Sequence, residues 1–169
     1  MTVMEKTAIT GARGPAPAGS RPEKNAELAE LVDRLSRLSL ANEQLRSALA
    51  KELEIGLPEL SAVAYIENEG YTTPKALANS LSIATGSATA LIDRLVSAGL
   101  VTREPNPSDR RSVLLTLTAR GKQAMGRVRE RYAGAIEAAL GDDRATVTGV
   151  FGGFIERLAS QLLEVRPAT

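Results

Sequence analysis

The chain of 169 residues contains no cysteine, no histidine and no tryptophan. Without cysteine, disulfides, thiolate metal ligands and thiol-based redox sensing are excluded, and without histidine the commonest general base and metal ligand are missing. An enzyme would have to rely on carboxylates or lysine, and no paired carboxylates stand in a context typical of an active site. We therefore predict that the protein is not an enzyme and has no catalytic residue, metal site or cofactor.

Aromatic residues and long apolar runs are also scarce. Aromatic residues make up 3% of the chain, so a core must consist mainly of Leu, Val, Ile and Ala, which favours helices. No apolar run approaches the roughly 20 residues that span a bilayer, and the N-terminus lacks the apolar segment of a secretion signal. The length suits one domain, with or without a dimerisation extension. These features predict a cytoplasmic protein without a membrane partner.

The net charge of +1 hides an uneven distribution along the chain. Residues 70–131 contain ten Lys and Arg against four Asp and Glu, so this region is basic and the remainder is acidic. A DNA-binding surface requires positive charge only where it contacts phosphates. The cluster is compatible with such a surface, although a solvated charged face is the alternative.

A helix-turn-helix pattern followed by a hairpin pattern occupies residues 72–117. Thr73 can cap a short helix whose first turn holds Pro74. A second helix has apolar residues at steps of three and four and ends at Gly99. Residues 100–103 and 113–117 are predicted strands, and the polar, Pro-containing segment 104–112 is predicted to be their hairpin loop. The second helix is predicted to have Ala88, Leu91, Ile92, Leu95 and Val96 on its apolar face.

The regions on either side are predicted to be helical, apart from an N-terminal arm at residues 1–22 that is rich in Gly, Ala, Pro, Thr and Ser. A heptad pattern predicts a long helix, packed within its own subunit or shared across a dimer. Two later helices are predicted, one capped by Thr118 and one after Gly141. The glycines at 152 and 153 favour close approach of another helix or a local kink. The heptad positions are Leu28, Leu31, Leu35, Leu38, Asn42, Leu45 and Leu49, and the last apolar stripe is Val147, Val150, Phe151, Phe154, Ile155, Leu158, Leu162 and Val165.

Residues 28–163 resemble the MarR family of regulators. The matching segments, in chain order, are ELSAVAYIENEG, ALANSLSIATGSATALIDRL, AGLVTREPNPSDRRSVLLTLT and LTARGKQ. One departure is Gly56, where the family usually has a Thr N-cap. The resemblance implies a mainly α-helical winged helix-turn-helix with a small β-hairpin wing and with dimerisation helices at both ends. The implied division is a disordered arm (1–22), a dimerisation helix (23–54), a winged DNA-binding region (55–118), C-terminal dimerisation helices (119–165) and a tail (166–169).

The resemblance also implies which residues contact DNA. Short hydroxyl side chains at the start of the second helix suit base edges and phosphates, and wing arginines suit the minor groove. Asp109 is expected to brace the wing by pairing with Arg94 or Arg111, and which Arg braces and which enters the groove stays open. The DNA-binding candidates are Thr73, Thr85, Ser87, Thr89, Arg94, Arg110 and Arg111.

We therefore predict a homodimeric transcriptional regulator that binds double-stranded DNA at a pseudo-palindromic operator. The family implies repression of neighbouring genes and release by a small aromatic or amphipathic ligand, whose binding residues the sequence does not identify. The alternative is a winged-helix module that binds protein and not DNA. Operator sequence, regulated genes and the choice between repression and activation also stay open.

Overall fold

A computed structural model describes residues 21–109, 111–140 and 147–164. Arg110, residues 141–146, Val165, and the predicted tail lie outside the described residues, as does nearly all of the predicted N-terminal arm. The elements are α1 (Arg21–Glu52), α2 (Leu57–Glu69), α3 (Pro74–Ser80), α4 (Thr85–Ser97), β1 (Val101–Pro105), β2 (Val113–Leu117), α5 (Ala119–Leu140), a π-helical turn (Val147–Phe151) and α6 (Gly152–Glu164). The predicted class, mainly α-helical with a β-hairpin, is confirmed.

The described residues divide into two units, one ending at Leu45 and the other beginning at Arg46. The first unit is the greater part of helix α1. Its apolar heptad residues Leu28, Leu31 and Leu38 are more than half exposed. Helix α1 ends in the second unit, where Leu49 is buried, so the last position of the heptad pattern packs within its own chain. For this end of the stripe, packing within one subunit is the correct alternative.

The core of the second unit lies between α2, α3, α4, the hairpin and the first half of α5. Helix α4 shows why the spacing predicts burial, since its buried residues recur at steps of three and four and leave the other side free. Val96 is an exception to the prediction, because it lies at the edge of this face and is exposed. The core contains Leu60, Val63, Ile66, Leu77, Ala88, Leu91, Ile92, Leu95, Leu100, Val101, Leu115, Leu117, Ala124, Met125 and Val128.

Strands β1 and β2 pair antiparallel, with Val101 opposite Leu117 and Pro105 opposite Val113. The predicted hairpin loop was therefore too long at its start, because Glu104 and Pro105 belong to β1. A proline is tolerated there because the ribbon is two-stranded and its outer edge needs no N–H donor. Thr72 adds an isolated bridge: its N–H donates to the Leu115 carbonyl at 3.1 Å, and the Leu115 N–H donates back at 2.8 Å.

The second half of α5 and helix α6 carry exposed apolar residues. The predicted apolar face of α5 is buried only as far as Val128, whereas Ile136 is 56% exposed. On α6, Phe154 and Leu162 are exposed as well. Gly152 begins α6 directly after the π-helical turn, and a Cβ there would meet nothing within 4 Å. A Cβ at Gly153 would lie 3.4 Å from Nη1 of Arg157 in the same helix. The two glycines therefore stand where the π-helical turn becomes α-helix, and close approach by a helix of a second copy stays a prediction.

No helix among residues 21–109, 111–140 and 147–164 combines the length and apolar character required of a membrane span.

Candidate nucleic-acid interface

The candidate interface starts with helix α3 and the residue that caps it. Thr73 adopts extended backbone angles, and its Oγ1 accepts a hydrogen bond from the Ala76 N–H at 3.2 Å, as the sequence predicted. The cap uses the oxygen as acceptor, so the Thr73 hydroxyl hydrogen is available to donate. The neighbouring Thr72 bridge to β2 ties the start of α3 to the hairpin. Together these bonds set the position of the first helix of the motif.

The turn between α3 and α4 is short. Ser82 has a left-handed backbone (φ 53°), and the Ile83 N–H donates to the Ala78 carbonyl at 3.0 Å. Such a 6→1 bond after a left-handed residue closes a helix C-terminus and turns the chain sharply. Helix α4 can therefore begin at Thr85 with its N-terminus in solvent.

The first turn of α4 offers unoccupied N–H donors. Its N-cap is Ala84, which has no side-chain acceptor, so no side chain caps this terminus. The first N–H groups of a helix lack intrahelical partners and carry partial positive charge, which favours phosphate. Thr85, Gly86 and Ser87 are all exposed here. The terminus is chemically suited to an anionic backbone.

The exposed side of α4 includes two parallel rows of residues. The first row is Thr85, Thr89 and Asp93 at steps of four, and the second row is Ser87, Ala90 and Arg94 at steps of three and four. The Thr89 hydroxyl donates to the Thr85 carbonyl at 3.0 Å, which leaves its oxygen as an acceptor. The short side chains in the first half of both rows would allow the helix backbone to approach a groove floor closely.

Both rows end in a charged residue held by an ion pair. Asp93 Oδ1 accepts from Arg103 Nη2 of β1 at 2.6 Å, and Arg94 Nε donates to Glu59 Oε1 of α2 at 2.6 Å. The Asp93 carboxylate is thus neutralised by a neighbouring guanidinium. The expected pairing of Asp109 with Arg94 is wrong, because Arg94 pairs with Glu59 instead. Sequence reasoning missed Glu59, although its place three residues after the N-cap Gly56 is where a Glu commonly turns back toward a helix start.

At the wing, Asp109 accepts hydrogen bonds from backbone N–H groups. Its Oδ1 accepts from the Arg111 N–H at 3.0 Å, and its carbonyl accepts from the Ser112 N–H at 3.0 Å. Its role in the turn is therefore a backbone bond to Arg111 rather than an ion pair with the guanidinium. Arg111 is exposed, and the candidate Arg110 lies outside the described residues. Among the described residues, no group of three or more Asp or Glu is arranged to hold a metal ion.

Comparison with known proteins identifies the family. The MarR family model matches residues 55–113, which include α2, α3, α4 and β1. The HTH-type transcriptional regulator PecS of Dickeya dadantii is 30% identical over 115 residues, which are 66% of this chain and 69% of PecS. The chain belongs to the MarR family. This family consists of DNA-binding transcriptional regulators and not of enzymes.

Further relatives place this MarR-family chain among proteins of known fold. The multiple antibiotic resistance protein MarR of Escherichia coli is 35% identical over 79 residues, which are 47% of this chain and 55% of that protein. A mutant of MarR from E. coli, solved in complex with operator DNA, is 26% identical, with a TM-score of 0.55 over 81% of this chain and 96% of that one. The regulator Tm0710 from Thermotoga maritima, at 21% identity and a TM-score of 0.64 over 82% of this chain and 99% of its own, shares the fold.

Proposed function

We propose that this MarR-family regulator contacts double-stranded DNA with the exposed start of α4 and with the wing between β1 and β2. The observation that carries the proposal is the exposed, uncapped N-terminus of α4, where Thr85, Ser87 and Thr89 present only short hydroxyl side chains. The similarity to a MarR variant that was solved with operator DNA supports it. Thr73 would add a phosphate contact from the start of α3.

The chemistry of α4 favours recognition by shape and by thymine methyl groups. The two rows contain no Asn or Gln, and the guanidinium of Arg94 is shared with Glu59. Bidentate contacts to guanine or adenine edges therefore have few donors on this helix. Arginine at the wing would enter a minor groove that A·T-rich sequences narrow. We expect an operator in which A·T content and groove width matter more than single guanines.

The active form is proposed to be a homodimer on a pseudo-palindromic operator. The apolar residues exposed on the second half of α5 and on α6 would be covered by a second copy. A twofold dimer would place two α4 helices on successive major grooves, about 34–36 Å apart. We propose that the protein acts in the cytoplasm and represses neighbouring genes. A small aromatic or amphipathic molecule would release it from the DNA.

The first experiment is a mobility shift with the DNA immediately upstream of the gene that encodes this protein, called the upstream duplex below. A regulator of its own neighbourhood should shift this duplex and bind more weakly as salt rises, because phosphate contacts release counterions. A protein-interaction module would show no salt-dependent shift. That result would favour the alternative function over DNA binding.

The wing is tested by replacing Arg110 and Arg111 with Ala together. Loss of two cationic contacts should weaken binding to every duplex and reduce the slope of log affinity against log salt. The control removes two arginines from α1, Arg34 and Arg37, which precede the segment matched by the family model. A folded wing variant with the wild-type affinity and slope would refute the role given to this hairpin.

Ligand release is tested by thermal shift against phenolic acids, antibiotics and metabolites, followed by operator binding with each compound that stabilises the protein. A ligand that binds more tightly to the dimer geometry unsuited to DNA would lower operator affinity. The factor cannot exceed the ratio of the ligand's affinities for the two geometries. If oxidant or zinc releases the DNA while no organic compound does, the proposed class of signal is wrong.

A further inference from the structure

A nearly buried carboxylate of helix α2 holds the last charged residue of the exposed α4 rows. Glu59 Oε1 accepts from Arg94 Nε at 2.6 Å. The Glu59 side chain is 11% exposed and the Arg94 side chain 59% exposed. Glu59 is thus fixed in the scaffold, whereas more than half of the Arg94 side chain faces solvent.

The Glu59 carboxylate is confined on its other side by the helix start. A Cβ added at Gly56 would lie 2.3 Å from Glu59 Oε2, closer than any stable contact allows. Gly56 has φ −81°, an ordinary value for any residue, so backbone strain does not explain the glycine. The space that Gly56 leaves is filled by the Glu59 carboxylate. A side chain at position 56 would have to displace the flexible end of Glu59 from this position.

The guanidinium of Arg94 keeps donors for a second partner. Arginine has five N–H donors in a planar fork, and only Nε is bonded to Glu59. Among the described residues, no acceptor contacts its Nη groups. Arg94 follows Ser87 and Ala90 on the same exposed row of α4. An arginine oriented in this way presents a rigid pair of donors on the face proposed to meet DNA.

We propose that Glu59 is a positioning residue for DNA binding, orienting Arg94 so that its Nη groups bind one backbone phosphate beside α4. The inference rests on the proposed function. In this role the Glu59 carboxylate, although negatively charged, promotes binding to a polyanion. Coulomb repulsion alone gives the opposite sign, since removing a negative charge near phosphates should strengthen binding. The sign of the effect therefore separates positioning from simple electrostatics.

The decisive variant is Glu59→Met, which has a similar length and no acceptor or charge. Fluorescence anisotropy with a 5′-labelled random-sequence duplex of about 30 base pairs, and with the upstream duplex, would be measured over a salt series. We expect Glu59→Met and Arg94→Ala each to weaken binding about tenfold and to lower the salt slope by about one phosphate contact. The double variant should be no weaker than Arg94→Ala. Glu59→Gln retains a carbonyl acceptor for Arg94 Nε and should restore part of the affinity.

Glu67 provides the matched control, because it is the other α2 glutamate that pairs with an arginine, Arg129 of α5. Glu67→Met removes the same charge from the same helix without touching α4, so binding should stay unchanged or strengthen. Gly56→Ala offers an independent variant that retains every charge. Its Cβ should displace the flexible end of Glu59 and weaken binding, even if Glu59→Met fails to fold.

Several results would overturn the positioning role. It is wrong if folded Glu59→Met binds as tightly as wild type or more tightly with an unchanged salt slope. It is equally wrong if Gly56→Ala binds like wild type when Glu59→Met does not fold. Failure of the wild-type protein to bind either duplex would instead refute the proposed function itself.

Discussion

At the scale of single residues, the close approach of α5 to Leu100 explains why position 121 is a glycine. The spacing of residues in the sequence alone could not explain it. A Cβ at Gly121 would lie 2.2 Å from the Leu100 carbonyl oxygen and 3.4 Å from the Leu117 Cβ. The obstacle is backbone, which cannot move as cheaply as the end of a side chain. The first turn of α5 therefore packs directly on the start of the hairpin, and only glycine permits that distance.

Gly121→Ala should destabilise the protein by about 2–3 kcal/mol, because overpacking a rigid site forces the helix and the strand apart. Gly126 lies in the same helix, and a Cβ there would meet nothing within 4 Å. Gly126→Ala should instead stabilise by up to about 1 kcal/mol through helix propensity. Urea unfolding at one protein concentration compares the two. Equal stability of the two variants would show that α5 does not approach Leu100 so closely.

At the scale of elements, Thr118 connects three parts of the winged unit. Its Oγ1 accepts from the Gly121 N–H at 3.0 Å, which caps α5. The same hydroxyl donates to the Gly99 carbonyl at 2.6 Å, and Gly99 follows α4. The end of the candidate recognition helix, the hairpin and α5 thus share one side chain.

Thr118→Ala should cost about 1–2 kcal/mol, because it removes an N-cap and leaves the Gly99 carbonyl without its hydroxyl partner. Thr118→Ser keeps the hydroxyl and should lose only a small part of this free energy of unfolding. Thermal and urea unfolding of both variants provide the measurement. A serine variant as unstable as the alanine variant would mean that the methyl group, and not the hydrogen bonds, is responsible.

The elements themselves were largely predictable from sequence. Apolar spacing in α4 and α5, and the caps Thr73 and Thr118, depend on residues within a few positions of each other. The partners of Glu59 and Asp93 were not predictable, since ion pairs 35 and 10 residues apart depend on how elements pack. Several cations near one carboxylate look alike in sequence, which is why Asp109 was assigned a guanidinium and not a backbone N–H.

At the scale of the whole molecule, the proposal of a dimer rests on apolar side chains that are exposed to solvent in the single chain. Phe151 at the end of the π-helical turn and Phe154 on α6 have ring centroids 6.4 Å apart, and they remain 49% and 42% exposed. Exposed apolar patches of this kind commonly mark an interface between proteins. The sequence predicts that this stripe and the heptad stripe of α1 bury one another in a twofold dimer. That pairing stays a prediction, because the same pattern serves a core or an interface.

Phe154→Asp should weaken the proposed dimer by at least tenfold, because a carboxylate would be buried at the interface without a partner. Ser160→Asp adds the same charge at an exposed polar position of the same helix and should leave assembly unchanged. Sedimentation over a range of micromolar concentrations should give two subunits for the wild type and the control. Truncation after Gly141 should leave an aggregated or unfolded protein. A wild-type monomer, or a well-folded monomeric truncation, would contradict the proposed assembly.

The most direct test of the central claim places a negative charge at the tip of the candidate recognition helix. Ser87→Glu should fold normally, since an acidic residue in a first helical turn is favourable. Anisotropy with the upstream duplex should then show at least a hundredfold loss of affinity, because the carboxylate would face phosphates and base edges. Ser160→Glu on α6 should bind like the wild type. Wild-type affinity in folded Ser87→Glu would contradict DNA binding through α4.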